Sequence, residues 1–516
     1  MAAVTFYTMQ AYTRHQPKLF RLIVLFVMTA TSMCAYAAGV SDSLMTQTSF
    51  VLRGELSKSW RGKEIKFAVT DPIKNTGHVI NHKDGRFEMT IPMRGYLQEM
   101  YLYIDGTVTI PVCSGDTINM TIGEDDMWLS ASDHQRNLDL QLALAVHRKM
   151  RGRYMDINHT YNDFYRECKN KDRSQQRIDS LYTDVVRKTM AYHERHKTVV
   201  DTFISHHGTP RMEEYFRING YFAPLHFLVF DDGLQYITTK GYISAAFPAI
   251  DYRRYTDDWM KYPGYQKFMR AYLQHEATRA SEIFTVDATG DEFIHKSDVR
   301  RAISPSPLLA DLSDAYLLCQ MSRVMDPSLI AKYISPIHRR LTSDALKGEI
   351  SKILPAIERL MPGKPLPRLA LKDINGNNLT AEDFKGKYLY LDFWDFGCGP
   401  CIKEFGVMST FTDHFSDIMD KLAIVTVCAS NPSPKKLNDF INKHGMNECN
   451  TMLDKNQSDE CYRNLAFPTY ILVDPDGNIV EYNTDRPSDI LKASRGSEKS
   501  LFERTLREQF TLSLGN

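Results

Sequence analysis

The sequence predicts an α/β C-terminal domain, with a central mixed sheet and helices on both faces, preceded by a small all-β domain and an α-helical domain. Three observations predict it. Between Ser49 and Ile122, short runs alternate apolar and polar residues. From about Ser130 to Leu360 the apolar spacing turns helical. Beyond that, apolar strands and helical segments alternate around two cysteines, Cys398 and Cys401. The boundaries read from these shifts are a leader at 1–37, a β-rich domain at 46–125, a helical domain at 130–360, a linker at 361–367 and the α/β domain at 368–516.

At the N-terminus, Arg14, Lys18 and Arg21 precede an apolar run, Leu22 to Met33, which ends in Ala35-Tyr36-Ala37 before Ala38. A positive flank, a short apolar core and a small-residue cleavage site describe a secretory signal peptide, with Met9 as an alternative start. The core is shorter than the roughly 20 residues that a bilayer span needs. Cys34 is a poor lipid-attachment site because Met33 stands where a small residue is wanted. The expectation is an exported chain with no transmembrane segment once mature. Lys+Arg and Asp+Glu number 63 each, so the net charge gives no reason to expect nucleic acid or an anionic membrane as partner.

In the β-rich region, Arg86 to Ile91 and Thr117 to Ile122 alternate, and Asp84-Gly85 and Asp105-Gly106 are hairpin dipeptides. The helical region carries three apolar stripes: Leu138, Leu142, Val146 and Met150; Ile178, Leu181, Val185 and Tyr192; Leu309, Leu312, Tyr316 and Cys319. Aromatic residues crowd its middle, at Tyr215, Phe216, Tyr221, Phe222, Phe227 and Phe230. Internal packing is the expectation for them, with a partner groove as the alternative. His193 with His196, and His206 with His207, lack Cys or acidic residues at ligand spacing, and Arg279 stands where His275-Glu276 would need a second His. These histidines are expected on solvated faces and no metal site is expected.

Met361-Pro362-Gly363-Lys364-Pro365-Leu366-Pro367 is a stiff linker. Asn375-Gly376 and Asp476-Gly477 mark hairpins, and Tyr388 to Trp394 reads as a buried strand. It runs through a Gly-bracketed turn into a helix expected over Ile402 to Phe415. Cys398 and Cys401 therefore stand where a strand feeds a helix N-terminus, beside unpaired N–H groups and the positive end of the helix dipole, which favours thiolate. Cys398, on the outer turn, is the nucleophile, and Cys401 can attack the mixed disulfide that Cys398 forms. A second Cys pair at zinc-ribbon spacing is missing, which favours redox over metal chemistry. Asp392, inside the apolar strand, carries a costly carboxylate. Of the remaining cysteines, Cys113, Cys168, Cys319 and Cys428 read as buried thiols, and spacing leaves open whether Cys449 and Cys461 pair.

Asp392-Phe393-Trp394 followed by Cys398-Gly399-Pro400-Cys401 resembles thioredoxin, and the surroundings resemble its TlpA/ResA-like thiol-disulfide oxidoreductases. Strand Leu422 to Val427, a helix near Pro434 to His444 and Phe467-Pro468-Thr469 follow in the family order. The gap from Cys398 to Pro468, 468 − 398 = 70 residues, matches the insertion of that branch. The resemblance implies a thioredoxin-like fold and a Cys398–Cys401 redox disulfide. It makes Asp392 the proton acceptor for Cys401 and Pro468 a cis residue facing the dithiol. Phe467 then holds substrate backbone and Trp394 shields the dithiol. Gly399 and Pro400 complete the substrate-facing turn, in a sequence typical of the reducing members. It further implies disulfide-containing protein substrates, a membrane electron donor, no cofactor and a periplasmic location, with an isomerase or oxidase as the alternative activity. Gly397 replaces a common Trp, and Gly406 a common Pro, so a more open rim is expected. A peroxidase of the peroxiredoxin class would want Pro and Thr where Leu391 and Asp395 stand. A client-binding protein with a vestigial dithiol is the non-enzymatic alternative.

Overall fold

The structure is a computed structural model that describes residues 43–104, 107–124, 126–170, 172, 174–228, 256–281, 290–322, 327–430, 432–446, 448–494, 500 and 502–507. The leader sequence, Phe230 and the Asp105-Gly106 dipeptide lie outside the described residues. The chain divides into two compact units, 1–316 with 339–348 and 317–338 with 349–516.

Among the described residues of the first unit, eight strands form two four-stranded sheets. One has the order β4 (Arg86–Arg94), β1 (Gln47–Leu56), β7 (Thr117–Ile122), β8 (Met127–Ser130); the other has β3 (Thr76–Val79), β2 (Lys66–Val69), β5 (Leu97–Tyr103), β6 (Thr107–Cys113). Alternation places Phe50, Leu52, Met100, Leu102, Ile110 and Ile118 in one shared core. Asp84 and Gly85 both adopt positive φ, 53° and 89°, the backbone that a two-residue hairpin turn requires.

The helical region begins with α1 (His134–Lys169) and α2 (Gln175–His207), capped by the Asp133 and Ser174 side chains, then α3 (Glu213–Phe222). It belongs to the same unit as the two sheets because buried polar groups tie them. Glu99 of β5 accepts the Tyr215 hydroxyl and the Asn219 amide of α3, and the Tyr101 hydroxyl at 2.7 Å. Arg136 of α1 pairs with Asp116 at 2.7 Å. Tyr215, Phe216, Phe222 and Phe227 are buried, so these aromatics are packing. The solvated-face expectation fails for His196 and His275, which are buried. His196 stacks on Tyr192 and lies against Gly220, where a Cβ would stand 2.0 Å from its ring. Burial pushes it down to about 4, so it is neutral there.

The second unit carries a seven-stranded mixed sheet in the order β10 (Asn378–Thr380), β9 (Ala370–Asp373), β13 (Cys449–Leu453), β12 (Leu422–Cys428), β11 (Tyr388–Trp394), β14 (Thr469–Val473), β15 (Ile479–Tyr482). β13, β12 and β11 run parallel, and the outer pairings are antiparallel. Leu389, Leu391 and Phe393 face one side, packed with Tyr462, Leu465 and Leu360. Tyr388, Tyr390 and Trp394 face the other, beneath α4 (Gly399–Phe405), α5 (Met408–His414), α6 (Pro434–His444) and α7 (Pro487–Ser494). This is the thioredoxin-like fold. The single helix expected over Ile402 to Phe415 is instead two: it starts earlier, at Gly399, and breaks after Phe405. Val407 N–H turns back to Glu404 O, a tighter i−3 bond, beside a glycine that holds helix weakly.

Candidate active site

β11 is buried along its whole length and ends at Trp394, at the C-terminal edge of the parallel strands. Asp395 to Gly397 turn the chain, and Cys398 N–H bonds Asp395 O at 3.0 Å. Cys398 then caps α4: extended backbone, with its Sγ accepting the N–H of Cys401 at 3.1 Å. Pro400 fits the first helical turn, where its missing N–H costs nothing. Cys398 and Cys401 are joined as a disulfide, with Cα atoms 5.3 Å apart. Cys398 is half-buried and Cys401 fully buried. An attacking or leaving group therefore reaches the first sulfur from solvent, and the second from inside.

Around the disulfide, Trp394, Cys401 and Phe405 form a buried cluster against which Cys398, Phe396, Phe440 and Phe467 pack half-exposed. The Phe467–Pro468 peptide bond is cis, and Pro468 is buried. Gly397 and Gly399 are exposed, and a Cβ on either would meet no atom within 4 Å. Cysteine pair, Phe467 and Trp394 are thus brought together.

Residues 361–495 match the Redoxin family. ResA, a thiol-disulfide oxidoreductase of Bacillus subtilis, is 31% identical over 129 residues, which is 25% of this chain and 69% of that protein. The chain belongs to the ResA-type thiol-disulfide oxidoreductases. The thioredoxin-like protein YneN of the same organism is 28% identical over 122 residues, 23% of this chain and 69% of that one. Among solved structures, the thioredoxin domain of a thiol-disulfide oxidoreductase from Bacteroides vulgatus is 29% identical, covering 26% of this chain and 96% of that one at a TM-score of 0.24.

In this ResA-type domain Asp392 lies on the same strand face as Tyr390 and Trp394, because side chains alternate along β11, and that face bears the dithiol helix. It is fully buried, and neither carboxylate oxygen has a hydrogen-bond partner among the described residues. Burial pushes its proton affinity well above the usual carboxylate range, and the nearby charges of Glu404 and Glu448 add to the shift. Sequence reasoning missed Glu404. It sits one helical turn after Cys401, buried, and its carboxylate accepts the N–H of Ser488 at 3.0 Å and the hydroxyl at 2.8 Å. A carboxylate on the apolar face of a short amphipathic helix was the available signal.

Sequence reasoning also missed Phe396, Phe440 and Lys436. The Lys436 ammonium stands 4.7 Å from the centre of the Phe396 ring. Cys449 and Cys461 are not joined; both are free thiols, as are the buried Cys113 and Cys428. Cys168 and Cys319 are buried. Burial pushes Cys113 up to about 11 and Cys428 up to about 12, so neither is a ready nucleophile. No cluster of three or more metal-ligating side chains occurs among the described residues. No helix among them is long and apolar enough to cross a membrane.

Proposed function

We propose that this chain is a disulfide reductase of the cell envelope, acting on disulfide-containing proteins through Cys398 and Cys401. One observation carries the reading: the Cys401 N–H donates to the Cys398 sulfur at 3.1 Å, a contact that stabilises negative charge on that sulfur once the disulfide is opened.

In the reduced enzyme, the Cys398 thiolate attacks one sulfur of a client disulfide, forming a mixed disulfide and releasing the other client sulfur as a thiolate. Phe467 and Pro468 hold the client backbone, and Gly399 and Pro400 leave the approach open. Asp392, carrying a raised proton affinity, takes the Cys401 proton. The Cys401 thiolate attacks Cys398, and the client leaves reduced by two electrons and two protons. Trp394 closes the inner side of the dithiol. The sulfurs supply all the redox chemistry, so no metal or organic cofactor is required.

A membrane electron donor returns the two electrons. The signal-peptide pattern around Arg14 to Ala37 supports export to the periplasm, and the β-rich and helical regions select or shield clients. The test is the midpoint potential of the Cys398–Cys401 couple in thiol buffers. A value near or below about −230 mV fits a reductase, and about −180 mV or higher fits an isomerase or oxidase. A pair that fails to cycle would turn attention to client binding by the first unit.

A further inference from the structure

The half-exposed rim beside Cys398 has a definite chemistry. Phe396 meets Trp394 and Phe440 edge-on, with ring centres 5.3 and 5.0 Å apart, and Phe440 stacks on Trp394 at 4.9 Å. These rings pack in the cluster that also takes in Cys398 and Phe467. Phe440 comes from α6, and one helical turn earlier that helix presents Lys436. Its ammonium lies over Phe396, is exposed, and has no ion pair among the described residues. Asp395, the residue before Phe396, accepts the Ser430 hydroxyl and forms no ion pair with Lys436 among the described residues.

We propose that Lys436, held over Phe396, is a specificity-determining residue that selects client segments carrying a carboxylate side chain beside the reactive cysteine, with an apolar neighbour against Phe396 and Phe440. This rests on the oxidoreductase reading of the same site. The cation is placed by the aromatic face rather than by a carboxylate, so its charge remains available to a docked chain. Apolar contact from the client removes water from the pair, and an ion pair strengthens as water leaves it. Cys398 packs on the same buried cluster as Phe396 and Phe440, so a client chain whose cysteine reaches that sulfur has its neighbouring residues beside the rim. Lys436 binds and orients; it exchanges no proton or electron. The exchange is the two-electron, two-proton transfer already described, with dithiothreitol as the reductant in the assay.

Two cyclic peptides closed by one disulfide, identical except for Glu or Lys next to the cysteine, test the inference on the full chain. Wild type is expected to favour the Glu peptide by about fivefold in kcat/KM, the effect of one partly exposed ion pair, and chiefly through KM. Lys436→Gln brings the ratio to about one, and Lys436→Glu inverts it. Because each variant is read as a ratio between two peptides, general loss of activity does not imitate the result. Turnover of hydroxyethyl disulfide by the wild type with no preference between the peptides, or a preference that survives both substitutions, overturns the inference alone. Failure to exchange with any of the three disulfides overturns the oxidoreductase reading as well.

Discussion

Glu404 receives both the backbone N–H and the hydroxyl of Ser488, at 3.0 and 2.8 Å. Its charge is thereby satisfied inside the same buried layer that holds Asp392, whose oxygens have no partner among the described residues. The two carboxyls are treated unequally. One is solvated by protein donors, while the other lies in an apolar strand under the field of the first.

That inequality fixes the sign of a pH effect. Asp392 holds its proton more tightly folded than unfolded, so over the interval above the usual carboxylate range the folded state binds more protons and stability falls as pH rises. Asp392→Leu removes this loss. The variant is expected to gain stability over wild type with rising pH, by up to about 1.4 kcal/mol per unit until the raised value is passed. Urea unfolding from pH 4 to 8 checks it; a constant difference between the two proteins would contradict it. In stopped-flow exchange at neutral pH the same variant should resolve its mixed disulfide more slowly.

Cys398 and Cys401 are distinguished by access, one half-buried and one enclosed. Cys401→Ser is expected to accumulate a stable mixed disulfide with client through Cys398, visible as a mass adduct that dithiothreitol removes. Cys398→Ser should form no adduct and retain less than about a thousandth of the exchange activity, since a serine hydroxyl at neutral pH is not ionised.

What was legible in the sequence was local. The strand from Tyr388 to Trp394, the Cys398 cap and the hairpins at Gly376 and Gly477 follow from short-range pattern and turn chemistry. Glu404 and Ser488 are 84 positions apart, and Glu99 and Tyr215 are 116 apart. Periodicity shows that such residues lie on a face but not what meets it. The same limit explains His196, whose polar side chain looked solvated until the fold set Tyr192 and Gly220 around it. The helix break after Phe405 was concealed because apolar spacing continues through Phe411 and Phe415.

The Glu99 contacts make a prediction for the first unit. Its buried carboxylate accepts from Tyr101, Tyr215 and Asn219. Glu99→Leu leaves those three donors without their acceptor and should destabilise the unit by about 3 kcal/mol. Urea unfolding followed by far-UV circular dichroism measures this. The midpoint potential of Cys398–Cys401 should be unchanged, because every residue of that site belongs to the other unit.

Trp394 offers the most direct optical test of the dithiol. It is fully buried in the cluster that contains Cys401, whereas Trp128 is 55% exposed on β8. A disulfide quenches a neighbouring indole by accepting electron density from its excited state, and a dithiol does so less. Reduction should therefore raise the fluorescence, with a blue-shifted component expected of an indole shut off from water. Trp394→Phe is expected to abolish the redox-dependent change while leaving the emission of the other indoles. A change that persists in Trp394→Phe would mean that reduction alters the surroundings of a tryptophan outside the dithiol cluster. The equilibrium between Cys398 and Cys401 would then extend beyond their own helix turn.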